Sequence, residues 1–248
     1  MKPTRDMPSL APSANPTPWY VEAFGEDYLQ RYVHRDEAGA RREAEALLNL
    51  VKLRPLARVV DACCGAGRHL KSLQARGVKA AGFDLSLPLL AEARRQGVRD
   101  VVRADVRRWP WRAGSVDLVY AMFTSWGYFD TDKENALPVR EAARILRPGG
   151  FLLLDVIDHD WLKARFVSES RRRVPGGVLH EVRQLARGRV TKKVEFATGG
   201  GILRRFESVR LYSRDEWGRF FREAGLKVEW PQLQALGEGR LIALGRKP

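Results

Sequence analysis

A glycine turn between a predicted strand and a predicted helix constrains this chain more than any other segment. Residues 59–70 read VVDACCGAGRHL: a β-branched run ends at Asp61, turns through Gly65 and Gly67, and enters a helix that begins at Arg68. Backbone N–H groups at a helix N-terminus, beside glycines that lack a Cβ, form a ready ligand site. The segment therefore predicts a nucleotide-type site at the end of a strand in an α/β sheet.

Three acids follow successive predicted strands and narrow the kind of ligand. Asp61 is placed to hold an ammonium, Asp84 to accept from a ribose diol, and Asp105 to accept from the amine of an adenine. The Val106 amide is placed to donate to a ring nitrogen. The dinucleotide fingerprint requires a glycine where this chain has Leu70. Each acid alone is equally compatible with helix capping or a surface position, but together they fit an ammonium, a ribose and an adenine better than a dinucleotide.

Strands and helices alternate through the middle of the chain, which favours a parallel sheet covered on both faces. A strand-rich stretch with turns at glycine pairs then interrupts the alternation, and a helix and two strands end the chain. The predicted strands are 58–61, 79–83, 100–103, 115–122, 151–156, 226–230 and 240–244, and the predicted helices of this part are 68–76, 88–96, 138–146 and 215–224.

These patterns predict one domain with an insertion, divided into five segments. They are a disordered tail (1–18), an N-terminal helical cap (19–55), an α/β core (56–160), an antiparallel β lid (161–212) and a C-terminal helix with strands that complete the core (213–248). No apolar run reaches the roughly 20 residues of a membrane span, and the tail lacks a signal-peptide core. The two adjacent cysteines are typical of small buried thiols, so we expect a cytoplasmic protein.

Taken together, five motifs resemble those of the class I S-adenosylmethionine-dependent methyltransferases. They are 61–67 (DACCGAG), 82–86 (GFDLS), 104–106 (ADV), 116–119 (VDLV) and 146–150 (LRPGG). The resemblance implies a Rossmann-like seven-stranded sheet with helices on both faces, an antiparallel last strand, and S-adenosylmethionine as the cofactor. The family usually has glycine at the position of Cys63, so a Cβ narrows the turn here.

Eleven residues are the predicted cofactor contacts. Arg68, at the helix start, is placed to pair with a ligand carboxylate. The full set is Tyr28, Asp61, Cys63, Gly65, Gly67, Arg68, Asp84, Leu85, Asp105, Val106 and Phe123. No histidine has metal-ligand spacing with another, so no metal is expected.

A narrower resemblance concerns the acceptor. Residues 122–129 (MFTSWGYF), the β insertion and an aromatic N-terminal helix are similar to a subgroup that methylates amines of small molecules, including glycine/sarcosine-type and amino-sugar N-methyltransferases. We expect Tyr128 to act on the acceptor side, although an aromatic ring that packs against the lid is an equal interpretation. Phe24, Tyr28 and Tyr32 fall on one face of a predicted helix, where they contact either the cofactor or the core.

A hydroxyl acceptor would require a general base, and His159 or Asp158, just after the fifth strand, are the candidates. A solvated loop position explains either residue as well. An amine acceptor requires no such base.

The positive net charge is also compatible with a second substrate class, RNA. The chain carries 44 Lys and Arg against 30 Asp and Glu, a formal charge of +14, which favours contact with phosphates. The excess is spread along the chain, with one cluster at 171–173, and no Asn-Pro-Pro-Tyr motif follows the fourth strand. Methylation of a small molecule is therefore preferred to methylation of RNA. A non-catalytic binding protein is the third reading, and the oligomeric state stays open.

Overall fold

The parallel sheet predicted from the sequence forms the centre of the protein. The computed structural model describes residues 17–25, 27–31 and 36–248. In this part of the chain, the helices are α1 (Trp19–Ala23), α2 (Tyr28–Arg31), α3 (Glu37–Val51), α4 (Arg68–Gln74), α5 (Leu87–Arg95), α6 (Asp132–Asn135), α7 (Leu137–Ile145), α8 (His159–Ala164) and α9 (Arg214–Glu223). The strands are β1 (Arg58–Ala62), β2 (Lys79–Asp84), β3 (Val101–Arg103), β4 (Val116–Ala121), β5 (Leu146–Ile157), β6 (Glu169–Val174), β7 (Gly177–Ala186), β8 (Arg189–Thr198), β9 (Gly201–Arg210), β10 (Lys227–Glu229) and β11 (Arg240–Arg246).

Seven strands form one sheet in the order β10-β11-β5-β4-β1-β2-β3. Strands β1 to β5 are parallel, and β11 runs antiparallel beside β5. Strand order reverses at β1, which lies between β2 and β4, so the ends of these strands form the crevice in which such sheets bind ligands. This is the predicted fold class, with its antiparallel last strand.

Two hydrophobic clusters cover the two faces of this sheet. One packs α7 and α9 against the sheet and contains Trp126 and Trp217, and the other packs α3, α4 and α5 on the opposite face around Leu47 and Leu70. Because both faces are covered, the central strand β4 is buried at every position.

The N-terminal aromatic segment departs from the prediction. One helix with Phe24, Tyr28 and Tyr32 on a single face was expected, but the structure has two short helices, α1 and α2, and Phe24 lies in the turn between them. Gly25 follows this turn, and glycine is a weak helix former. Tyr32 lies outside the described residues.

The predicted antiparallel β insertion is a separate four-stranded sheet, β6-β7-β8-β9, called the lid below. The segment expected to begin it with strand is helical instead, because the Asp158 carboxylate caps α8 by accepting from the N–H groups of Asp160 at 2.9 Å and Trp161 at 2.8 Å. The lid has its own small core of Leu179, Val194 and Phe196.

Ion pairs fasten the lid to the N-terminal helices. Arg31, only 1% exposed, donates to Asp27 at 2.7 Å and lies 3.4 Å from Glu207 of the lid. Arg205 of the lid donates to the other Asp27 oxygen at 2.8 Å. Since α1 and α2 are too short to be stable alone, these contacts hold them in place. None of the helices in the described ranges is long and apolar enough to cross a membrane.

Candidate active site

A cavity of about 750 Å³ lies at the carboxyl ends of β1, β2 and β4, beneath α1 and α2. Most of the residues predicted from the sequence line it. They are Tyr28, Asp61, Cys63, Gly65, Arg68, Asp84, Leu85, Asp105, Val106, Phe123 and Tyr128. The topology thus brings together positions that are 100 residues apart in the chain.

The Asp84 carboxylate joins the first two strand-to-helix turns. One oxygen accepts from the Gly65 N–H at 2.8 Å, and the other accepts from the Ser86 N–H at 2.8 Å. Burial raises the pKa of Asp84, while these backbone hydrogen bonds favour its ionised form. Because each carboxylate oxygen has two acceptor sites, Asp84 retains the capacity to accept from a diol in the cavity.

Three residues of the turn after β1 have left-handed backbone angles. Cys63, Gly65 and Gly67 have φ values of 66°, 53° and 74°. A left-handed φ costs an L-residue roughly 1–2 kcal/mol, which gives a physical reason for the glycine that the family usually has at the Cys63 position.

Gly67 has a packing role that the sequence did not indicate. It caps the start of α4 and lies under α5, where an added Cβ would be 3.3 Å from Ala93 and from Val98. It is not among the residues that line the cavity, and its role as a cofactor contact stays a prediction.

Asp61 is a buried acid on the cavity wall. It is 3% exposed, and the Tyr120 hydroxyl donates to its Oδ2 at 2.9 Å. Burial raises the pKa of Asp61 to about 7, against the hydrogen bond from Tyr120 and with a smaller contribution from the charge of Asp84. A cation beside this carboxylate would stabilise its ionised form.

Asp105 has a cationic partner that was not predicted. Arg107 donates to Asp105 through Nε at 3.0 Å and through a terminal nitrogen at 2.7 Å, and its backbone N–H donates at 2.8 Å. Burial alone would raise the pKa of Asp105, but the hydrogen bonds from Arg107 outweigh burial and lower it. Asp105 is therefore ionised at the cavity edge, beside Val106.

Arg68 pairs with a protein carboxylate. A terminal nitrogen of Arg68 lies 2.8 Å from Glu43 of α3, and His69 Nε2 lies 2.7 Å from the same oxygen. The Arg68 guanidinium also lies over the Phe123 ring, 4.5 Å from its centroid. Burial lowers the pKa of His69, so this ring favours its neutral form.

Both cysteine thiols favour their protonated form. Burial raises the pKa of Cys63 and of Cys64 well above the ordinary thiol value, with the charges of Asp61 and Asp84 adding to it. Both cysteines are free. A protonated thiol is a poor nucleophile, so these side chains serve as part of the wall.

Aromatic rings form the opposite wall. The Tyr128 ring is stacked on Phe24 at 5.8 Å and lies 4.9 Å from Trp19, between ring centroids. The Tyr128 hydroxyl donates to the Thr124 carbonyl at 2.9 Å. Tyr20, Phe24 and Phe129 also line the cavity. The Tyr128 ring thus both packs against other aromatics and lines the cavity, and its action on an acceptor stays a prediction.

His159 lies away from this cavity. Its Nδ1 is 2.7 Å from Asp160, and it lines a smaller cavity of about 280 Å³ with Asp158 and Arg240. The structure thus separates both candidate bases from the predicted cofactor residues.

Several residues of the site have no local sequence signal. Glu43 and Tyr120 contact Arg68 and Asp61 across large chain separations, and each reads from the sequence as an ordinary helix or strand position. In the part of the chain that the structure describes, no group of three or more acidic, histidine or cysteine side chains could hold a metal.

The chain is similar to known methyltransferases in sequence and in fold. Residues 59–150 match the family described as a methyltransferase domain. Over 217 residues the chain is 30% identical to a dTDP-3-amino-3,6-dideoxy-alpha-D-glucopyranose N,N-dimethyltransferase of Streptomyces fradiae, covering 82% of this chain and 84% of that protein. A malonyl-[acyl-carrier protein] O-methyltransferase of Enterobacter lignolyticus is 37% identical over 124 residues, 49% of this chain and 47% of its own length. The crystal structure of Streptomyces venezuelae DesVI aligns with a TM-score of 0.69 and 25% identity, covering 89% of this chain and 97% of that one.

The raised pKa of Asp61 predicts the direction in which cofactor affinity changes with pH. Protonated Asp61 cannot pair with the ammonium of S-adenosylmethionine, so raising the pH through about 7 should strengthen binding. Between pH 5.5 and 7.5, below the usual pKa of an α-amino group, we expect affinity to rise about tenfold. Isothermal titration calorimetry measures this, and the Asp61→Asn variant should bind weakly with little pH dependence. Equal slopes for the two proteins would contradict a role for Asp61.

Proposed function

Since this chain belongs to the class I S-adenosylmethionine-dependent methyltransferases, we propose that it methylates an amine nitrogen of a small molecule, an amino sugar carried on a nucleotide. The extent of the match to the Streptomyces fradiae N,N-dimethyltransferase carries this proposal. That match spans 82% of the chain and so reaches beyond the methyltransferase domain at 59–150. The O-methyltransferase match spans less than half of the chain.

This difference in extent bears on the acceptor. The α/β core supplies the cofactor turns and Tyr128, whereas the N-terminal helices, which ion pairs attach to the lid, supply other rings of the aromatic wall. A relative that shares only about 124 residues need not share that wall. A relative that shares 217 residues shares parts of the chain outside the core, which supports an amine acceptor of the same chemical class.

The residues of the cavity fit the cofactor. Asp61 is a buried carboxylate whose ionised form a ligand cation would stabilise. Gly65 leaves open space at the turn, where an added Cβ would meet only Leu89 at 3.7 Å. Asp61 would hold the ammonium, Asp84 the ribose, and Asp105 with Val106 the adenine. When bound, S-adenosylmethionine supplies a methyl group that is already electrophilic.

The protein's own contribution is then to position the acceptor and to exclude water from the cavity. In-line attack mainly requires an aligned and desolvated nucleophile. The rings of Phe24, Tyr28 and Tyr128 cover the cavity and supply apolar surface on the acceptor side. A neutral amine attacks without prior deprotonation, so the site needs no strong base at the acceptor. The position of His159 in a separate cavity is consistent with this chemistry.

An acceptor panel tests the proposal. Radiolabelled S-adenosylmethionine is incubated with the protein and, separately, a dTDP-linked amino sugar, the same sugar nucleotide with a hydroxyl in place of the amine, glycine, and total tRNA. We expect label only on the amino sugar. Label confined to tRNA or to glycine would overturn the proposed substrate class, and no transfer to any acceptor would favour a non-catalytic binding protein.

Two variants of Tyr128 separate its ring from its hydroxyl. Because the hydroxyl donates to the Thr124 carbonyl, we propose that the ring forms the acceptor wall and the hydroxyl is not a base. Tyr128→Phe should keep kcat within about threefold, whereas Tyr128→Ala should raise the acceptor KM by about tenfold or more. A kcat of Tyr128→Phe at least about tenfold below that of the wild type would show instead that the hydroxyl participates.

A further inference from the structure

Asp155, on β5, is a fully buried acid beside the cavity that none of the steps above uses. Its Oδ1 accepts from Arg240 Nε at 2.7 Å, and its Oδ2 accepts from the Phe123 N–H at 2.7 Å. The Asp155 backbone carbonyl accepts from the Thr124 N–H at 3.0 Å. One residue therefore binds two consecutive amides of the loop that follows β4.

Those two amides belong to a strained corner. Phe123 and Thr124 have φ values of 61° and 58°, two consecutive left-handed residues that are not glycine. Each costs on the order of 1 kcal/mol and persists only where surrounding contacts enforce it. The Thr124 hydroxyl adds one such contact, since it accepts from the Ile157 N–H at 2.9 Å. Strand β5 therefore determines the conformation of this corner.

The Phe123–Thr124 corner determines the positions of two aromatic side chains of the cavity wall. The Phe123 ring lies between two guanidinium groups, 4.5 Å from Arg68 and 5.4 Å from Arg240, and is stacked on His69 at 5.9 Å. The Thr124 carbonyl accepts a hydrogen bond from the Tyr128 hydroxyl. A change in the backbone at Phe123 and Thr124 would consequently move both the Phe123 ring and Tyr128.

We propose that Asp155 is a positioning residue for methyl transfer, with Arg240 as its charge partner. It acts through the Phe123–Thr124 corner and contacts neither the cofactor nor the acceptor. Its charge strengthens the hydrogen bond from the Phe123 N–H, and the Arg240 guanidinium both neutralises that charge and covers one face of the Phe123 ring. Without the carboxylate, the corner would relax toward ordinary backbone angles and the wall would lose its alignment. Misplacement by about 1 Å is enough to cost a large factor in rate.

The chain offers a matched control at the opposite end of the same sheet. Asp117, near the start of β4, is 2% exposed, accepts from Arg54 Nε at 2.7 Å and from the Arg58 N–H at 2.8 Å, and is also paired with Arg147. It does not line the cavity. Asp117→Asn therefore removes a buried charge with similar partners and leaves the Phe123–Thr124 corner untouched.

The test compares Asp155→Asn with Asp117→Asn in two measurements. Hydrogen–deuterium exchange of peptides covering 122–129 needs no acceptor, and we expect at least about tenfold faster exchange there in Asp155→Asn only. In steady-state turnover of the amino-sugar acceptor, Asp155→Asn should lower kcat by at least about tenfold, while Asp117→Asn stays within about threefold of the wild type.

Either of two results would overturn the proposal: equal exchange of 122–129 in both variants, or equal kcat in both when their thermal stability is matched. The turnover arm rests on the proposed function. A wild-type protein that methylates no acceptor would count against that function alone, and the exchange measurement would still decide whether Asp155 holds the corner.

Discussion

The carboxylate of Asp84 is the interaction on which the site depends. By accepting from the Gly65 and Ser86 amides, it locks the turn after β1 to the turn after β2. Those turns carry Asp61 and Leu85 on the cavity wall. The turn after β1 includes left-handed residues, one of them Cys63, whose cost needs compensation from such contacts. A charged acceptor in partly buried surroundings provides it better than a neutral one.

A second buried acid, Asp155, stabilises the backbone at the other side of the crevice, after β4. In both cases a carboxylate accepts from one backbone amide that follows a neighbouring strand: Asp155 from Phe123 after β4, and Asp84 from Gly65 after β1. The acceptor wall then depends on the lid, because ion pairs of Arg31 and Asp27 attach the aromatic N-terminal helices to β9.

The fold and the cofactor class could be predicted because their signals are local. Strand–helix alternation, the turn at 61–67 and the acids after successive strands predicted the parallel sheet, and the fold class and methyltransferase family are confirmed. The roles of individual site residues stay predictions. What sequence could not show are contacts between distant segments: Glu43 with Arg68, Arg240 with Asp155, and the left-handed corner at Phe123. The predicted single helix with Phe24 and Tyr28 on one face was wrong, because α1 ends at Ala23 and Phe24 packs on Tyr128 from the turn that follows.

The central claim is that the charge on Asp84, by organising two turns, creates the S-adenosylmethionine site. The most direct measurement is calorimetric titration of S-adenosylmethionine into the wild type, Asp84→Asn, and Asp100→Asn, an exposed acid that precedes β3. A hydrogen bond to a charged group contributes about 1.5–3 kcal/mol, so we expect the affinity of Asp84→Asn to be at least about tenfold lower than that of the wild type. The affinity of Asp100→Asn should equal that of the wild type. Unchanged affinity in a folded Asp84→Asn protein would contradict the account.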